Sequence, residues 1–166
     1  VVLRSLDNGV TWSEPQFFSD QRGRIMDTLY KDGTIYALEF CNDAEIKWTG
    51  NLPEHVYRLY VSTDDGLHFQ ERSVVPYDTF GRSYGAMEWL PGGRLIAYNY
   101  NENDEFHMDC CTSEDKGFHW SAPFRSFCAK RIRNPQVCCL KGLYFLHGRS
   151  GNEDPSLPFN FVLYSS

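Results

Sequence analysis

The sequence predicts an all-β chain, a β-propeller of four-stranded antiparallel blades, on three observations. One short pattern, S-x-D-x-G with an aromatic three residues after the glycine, occurs as SLDNGVTW at 5–12, STDDGLHF at 62–69 and SEDKGFHW at 113–120. Successive serines lie 57 and 51 residues apart, an interval expected of propeller or solenoid repeats. Between the copies the apolar runs are short and bounded by turn-forming residues. Aromatics make up 16% of the chain, so rings are available to fill sheet faces.

Each copy of the pattern reads as a tight turn. Asp7, Asp64 and Asp115 accept backbone N–H bonds, and the glycine supplies the left-handed position. Trp12, Phe69 and Trp120 open the next strand and are expected to bury their rings between neighbouring sheets. A calcium loop would need a glutamate at its twelfth position and flanking helices, and both are missing. After each turn come a strand, an arginine-bearing linker, an apolar run, a glycine turn and a second apolar run. The runs and turns are RIMDTLY, KDG and TIYALEF; RSYGAMEWL, PGG and RLIAYNY; RIRNPQVCCL, KG and LYFLHGR. A polar loop then leads to VYRLYV at 56–61, HMDCCT at 107–112 and FNFVLY at 159–164. That makes four strands per unit in up-and-down order, and stacking such sheets around an axis buries both faces. Residues 1–166 then hold two complete blades plus flanking parts, about three blades in all. A fourth turn is expected to begin at Ser165 and to be truncated at 165–166. On this reading both ends are cut from a longer propeller, and targeting signals are not legible.

The formal charge of −6 without a basic stripe argues against nucleic acid, and no apolar run approaches the ~18 residues of a membrane span. NENDEFHMD at 101–109 reads as a solvated loop. His55, His107 and His147 lack ligand spacing, so no metal and no cofactor is expected. Cys110, Cys111, Cys138 and Cys139 lie in strands, where they are expected to pack as small hydrophobes. Cys41 and Cys128 are the pairing candidates should the protein be secreted.

Topology sorts the remaining polar residues. The S-x-D-x-G turns and the glycine turns share one end of each sheet, and the chemistry-bearing residues fall at the other. Counting back eleven from Gly33, Gly93 and Gly142 gives Arg22, Arg82 and Arg131; counting back nine gives Arg24, Tyr84 and Arg133. Positions two apart share a strand face. Arginine keeps its charge and presents a planar fork that matches a carboxylate. Converging guanidinium groups repel one another unless an anion joins them. The competing reading pairs them with Asp20, Asp27, Asp78 and Glu88 as rim ion pairs.

With these residues in view, the chain resembles bacterial sialidases and their relatives with Asp-box repeats, a family of six-bladed propellers. IRNPQVCCLKGLYFLHGRSG at 132–151 is similar to the family's R-x-P inner strand followed by a strand that ends in arginine. The family has R-I-P, whereas here Arg131-Ile132 is followed by Arg133-Asn134-Pro135. The resemblance implies exo-hydrolysis of terminal sialic acid, or a related anionic sugar, with retention of configuration. A sialylated or other acidic glycan would be the substrate, and a secreted or cell-surface bacterial protein its setting. In that family three arginines grip the sugar carboxylate, a glutamate-activated tyrosine is the nucleophile and an aspartate is the acid/base, a departure from the paired-carboxylate scheme. Carried over by motif, the grip falls on Arg133, Arg149 and Arg58, with Arg24 and Arg82 as repeat equivalents. Tyr84, in GRSYGAMEWLPGGRLIAY, is the nucleophile candidate and Glu88 its partner. The family's tyrosine stands in the last blade, yet further repeats follow Tyr84, so a nucleophile outside this stretch is the competing reading. Asp27, Asp43, Asp104 and Asp154 compete as acid/base, with Asp154 preferred. The fragment alone is expected to be inactive. The alternative function is a non-catalytic propeller that binds glycan or protein through the same mouth.

Overall fold

The computed structural model describes residues 1–42, 55–78, 82–101, 103–104, 106–127, 132–149 and 161–166. It is all-β. Three antiparallel sheets follow one another along the chain, each a meander of sequential strands. The first holds β1 (Gly23–Lys31), β2 (Thr34–Asn42), β3 (His55–Ser62) and β4 (Gln70–Val75). The second holds β5 (Arg82–Trp89), β6 (Leu95–Asn101), β7 (His107–Ser113) and β8 (Phe124–Phe127). The third holds β9 (Arg133–Leu140), β10 (Leu143–Arg149) and β11 (Val162–Ser165). Ahead of them a bridge joins Val2 to Gln16 across the first S-x-D-x-G turn.

Turn chemistry sets these hairpins. Asp32-Gly33 and Lys141-Gly142 both take positive φ at both residues, 50° and 75° then 52° and 83°. That is the two-residue turn whose twist matches the flanking strands. β5 and β6 are joined differently, through a single 3₁₀ turn at Pro91–Gly93. This connection holds one residue more than the other two, which shifts any count made back from its glycine.

The S-x-D-x-G turns share one geometry. Ser62 Oγ donates to Asp64 Oδ1 at 2.8 Å and accepts the Gly66 N–H at 2.9 Å, while Asp64 Oδ1 accepts the His68 N–H at 3.0 Å. Ser113, Asp115, Gly117 and His119 repeat it at 2.8, 2.8 and 2.9 Å, and Ser5, Asp7, Gly9 and Thr11 at 2.8, 2.7 and 2.9 Å. The serine opens the turn, the aspartate closes it, and the left-handed glycine lets the chain reverse.

Sheets pack face to face with β1, β5 and β9 in succession on one side, as inner strands of a propeller fragment do. Alternation along β2 sends Tyr36, Leu38 and Phe40 toward the second sheet, where with Tyr57, Leu59 and Val61 they meet Met87, Leu95, Ala97 and Cys111. Ala37 points the other way, to Phe18 and Tyr60. Each fully buried Leu, Phe or Met in this seam contributes roughly 1.5–3 kcal/mol. The second and third sheets meet through Ile96, Met108, Cys110 and Ile132 against Leu146, Val162 and Tyr164. That seam is looser, with a groove of about 310 Å³ lined by Tyr98, Ser126, Val137, Tyr144, Leu146 and Tyr164.

The structure corrects three expectations. Trp120 is half-buried and donates from Nε1 to Ser73 Oγ across the seam at 2.9 Å, but Trp12 is 61% exposed because no described sheet stands beside it. Cys110 and Cys111 are buried, whereas Cys138 is half-buried and Cys139 exposed, on a sheet covered on one side only. Ser166, not Ser165, takes the register position that Ser62 holds in the first sheet. Ser166 exchanges two backbone bonds with Tyr144, which pairs with Cys139 beside the glycine turn as Ile35 pairs with Tyr30; Ile35 in turn pairs with Ser62. Cys128 lies outside the described residues.

Candidate functional site

The end of the sheets opposite the turns carries the arginines. Arg24, in the first turn of the strand path of β1, pairs with Phe40; Arg133, the first residue of β9, pairs with Arg149. Counted from their two-residue turns these are the same register position, and all three arginines are exposed. Arg82 pairs with Asn101, the counterpart of the Gly23–Cys41 pair, so it stands one position nearer the strand start than Arg24 and Arg133. By count from the turn glycines the offset is two, and the extra residue in the Pro91–Gly93 connection reduces it to one. The side chain of Arg82 and all of Arg131 lie outside the described residues, and Arg22 is exposed ahead of β1.

A bulge follows each of these arginines: between Ile25 and Asp27, between Arg82 and Gly85, and opposite the His147–Arg149 step. Bulges turn side chains away from the ladder and are common beside active sites. In β9 the bulge puts Asn134 at φ 51°. Gly148 opposite it must be glycine, because a Cβ there would stand 2.6 Å from the Arg133 carbonyl oxygen and 2.7 Å from Ile132. Asn134 then reaches back, and its Oδ1 accepts from Arg149 Nε and Nη2 at 3.2 and 2.8 Å. Arg133 and Arg149 thus stand opposite each other at the turn-free end of the third sheet.

The other candidates are dispersed. Arg58 lies on β3 and donates to Glu71 Oε2 at 2.8 Å, an ion pair with an acid of its own sheet. Tyr84 is half-buried in the β5 bulge with its ring centroid 6.2 Å from that of Tyr100. Glu88 stands four residues on, ~13 Å along the strand, and its Oε1 accepts the Trp89 N–H at 2.7 Å near the turn end. The strand does not bring these two together. Asp154 and Asp43 lie outside the described residues. Asp104 Oδ2 accepts from His107 Nδ1 at 2.9 Å and Arg125 Nη1 at 3.2 Å, which fastens its loop to the outer strands.

Asp27 is committed to the scaffold. Its Oδ2 accepts the Met87 N–H of the neighbouring inner strand at 2.7 Å and its Oδ1 accepts the Thr28 N–H at 2.8 Å. Burial raises its carboxyl above the ordinary value despite those two bonds. Glu39 was not singled out by sequence. It is 4% exposed, accepts from Ser19 Oγ at 3.1 and 3.0 Å, and its carboxyl is also pushed up by burial. The signal for it was an acid on the same face of TIYALEF as Ala37, the face covered by Phe18 and Ser19. Among the described residues no cluster of three or more His, Cys, Asp or Glu could hold a metal ion, and no helix is long and apolar enough to cross a membrane.

No protein-family model and no curated protein matches the chain. Solved structures do. A protein of unknown function from Dyadobacter fermentans matches with TM-score 0.76 at 16% identity over 98% of this chain and 46% of its own. A Hadza microbial sialidase matches with TM-score 0.65 at 18% identity over 99% and 37%. An α-L-arabinofuranosidase of Fusarium graminearum matches with TM-score 0.63 at 17% identity over 89% and 46%. The likeness is one of fold. This chain spans less than half the length of each of these structures.

Proposed function

We propose that the chain is the larger part of one half of a six-bladed, sialidase-like glycoside hydrolase that takes a terminal anionic sugar at the arginine mouth. The observation that carries the reading is the equal register of Arg24 and Arg133 on separate inner strands, with Arg149 opposite Arg133. Guanidinium groups presented together at the turn-free end suit a carboxylate. The fold likeness to a sialidase and an arabinofuranosidase supports a glycan substrate. On this reading Arg24, Arg133 and Arg149, joined by Arg82, hold the acid group, and Arg58, tied to Glu71, stands outside the grip. Tyr84 flanks the sugar, and Asp154 serves as the acid/base. The domain is residues 1–166 of a longer propeller.

A second reading, a propeller that binds an acidic glycan without cleaving it, is favoured by the separation of Tyr84 from Glu88. One experiment separates the two: the intact protein is assayed on a fluorogenic sialoside and, in parallel, for binding to sialylated and arabinosyl glycans. Turnover that falls at least 100-fold in both Arg133→Ala and Arg149→Ala supports the hydrolase. Binding without turnover, lost in the same variants, supports the second reading. Activity that survives both substitutions rejects the arginine grip.

A further inference from the structure

The seam between the first two sheets changes character along its length. Toward the turns it is apolar, filled by Tyr36, Leu59, Met87, Leu95 and Ala97. Toward the arginine end it takes up Tyr57, Tyr77, Asn99 and Asp109, of which none is more than 8% exposed. These four form one cluster. The rings of Tyr57 and Tyr77 meet edge to face with centroids 5.6 Å apart. Asn99 lies directly opposite Asp109 across the β6–β7 pair. The Asn99 carboxamide is a polar neighbour of the Tyr57 hydroxyl. Gly85 makes room for this, because a Cβ there would stand 3.0 Å from both Tyr57 Cε1 and Leu38 Cδ2.

Yet the Tyr57 hydroxyl, the Tyr77 hydroxyl and both polar atoms of Asn99 make no hydrogen bond to protein. Left dry, such groups together would take a large share of the marginal stability of a domain. Polar neighbours that face each other without a well-formed direct bond are those that a water bridges. Hydroxyls both donate and accept, and a carboxamide does both through separate atoms, so one small molecule that also does both serves all of them. An ion is disfavoured, since three of the four side chains are neutral and one carboxylate is already present.

We propose that Tyr57, Tyr77 and Asn99, beside Asp109, form an internal water site that joins the first two sheets behind the bulge bearing Tyr84. The site is independent of the sugar-binding reading. A high-resolution crystal structure of the intact protein, with a double-mutant cycle of Tyr57→Phe and Asn99→Leu, tests it. The expected result is an ordered water within hydrogen-bond distance of Tyr57 and Asn99. Each single variant should lower the folding equilibrium constant about tenfold, and the double variant should lose less than the product of the two by about threefold or more. A seam closed by a direct Tyr57–Asn99 bond with no water overturns the proposal, and so does strict multiplicativity. Should Asn99→Leu fail to fold, Tyr57→Phe with Tyr77→Phe gives the same cycle.

Discussion

At the scale of the residue, the repeated turns show how few atoms fix a fold. Each turn aspartate is held charged by local bonds: Thr11 brings the carboxyl of Asp7 down to about 2, and the His68 and His119 amides lower those of Asp64 and Asp115 further. A carboxyl lowered in the folded state contributes stability above its unfolded value, and that contribution disappears as pH falls through the folded value. The contribution of the turns is therefore expected to decline progressively as pH falls from the ordinary carboxylate value near 3.8 to about 2, where that of Asp7 is spent. An NMR titration of the aspartate carboxyl resonances checks this, and midpoints near the ordinary value would contradict it. Glycine positions separate two costs. Gly33 is left-handed in open space, so Gly33→Ala should cost on the order of 1 kcal/mol from backbone strain alone. Gly117 is left-handed and packed on Leu59, so Gly117→Ala should cost on the order of 2–4 kcal/mol, read from urea unfolding.

At the scale of the element, Asp27 shows a side chain doing the work of a strand edge. Asp27→Ala leaves the Met87 N–H without its acceptor and should cost about 1–3 kcal/mol. Asp27→Asn keeps an acceptor and should stay within about 1 kcal/mol of the parent at neutral pH. Because burial raises the Asp27 carboxyl, its contribution to stability is fullest below the ordinary carboxylate value and declines as pH rises through the raised one. The Asn variant should lose that slope in chemical unfolding measured from pH 4 to 7. None of this was legible in the sequence, where Asp27 reads as a rim ion-pair partner or an acid/base candidate rather than as a link between strands. The hairpins themselves were legible, since K-D-G and K-G between apolar runs name their own turn. What escaped was single-residue bookkeeping. The longer Pro91–Gly93 connection adds one residue, so Arg82, which the count matched to Arg22 and Arg131, stands instead in the register of Gly23, and strand pairing puts Ser166 rather than Ser165 in the register of Ser62.

At the scale of the molecule, a period of about fifty residues foretold stacked four-stranded sheets because a sheet apolar on both faces has few ways to hide them. The placing of Arg24, Arg133 and Arg149 at the turn-free end was legible in the sequence, whereas which arginine faces an acid was not, because that depends on neighbours distant in sequence. Arg58 met Glu71, thirteen positions on, whereas Arg149 met Asn134.

The Arg133–Arg149 pair sets two like charges directly across a ladder, an arrangement that works against the empty protein. On the proposed carboxylate grip, a bound acid group would relieve part of that repulsion. Arg149→Gln should accordingly melt a little higher than the parent when alone, by up to ~1 kcal/mol. It should gain less than the parent from an added carboxylate-bearing sugar. Thermal melts with and without the sugar read both effects, and a parent that melts higher than the variant without sugar would contradict the idea of a strained mouth.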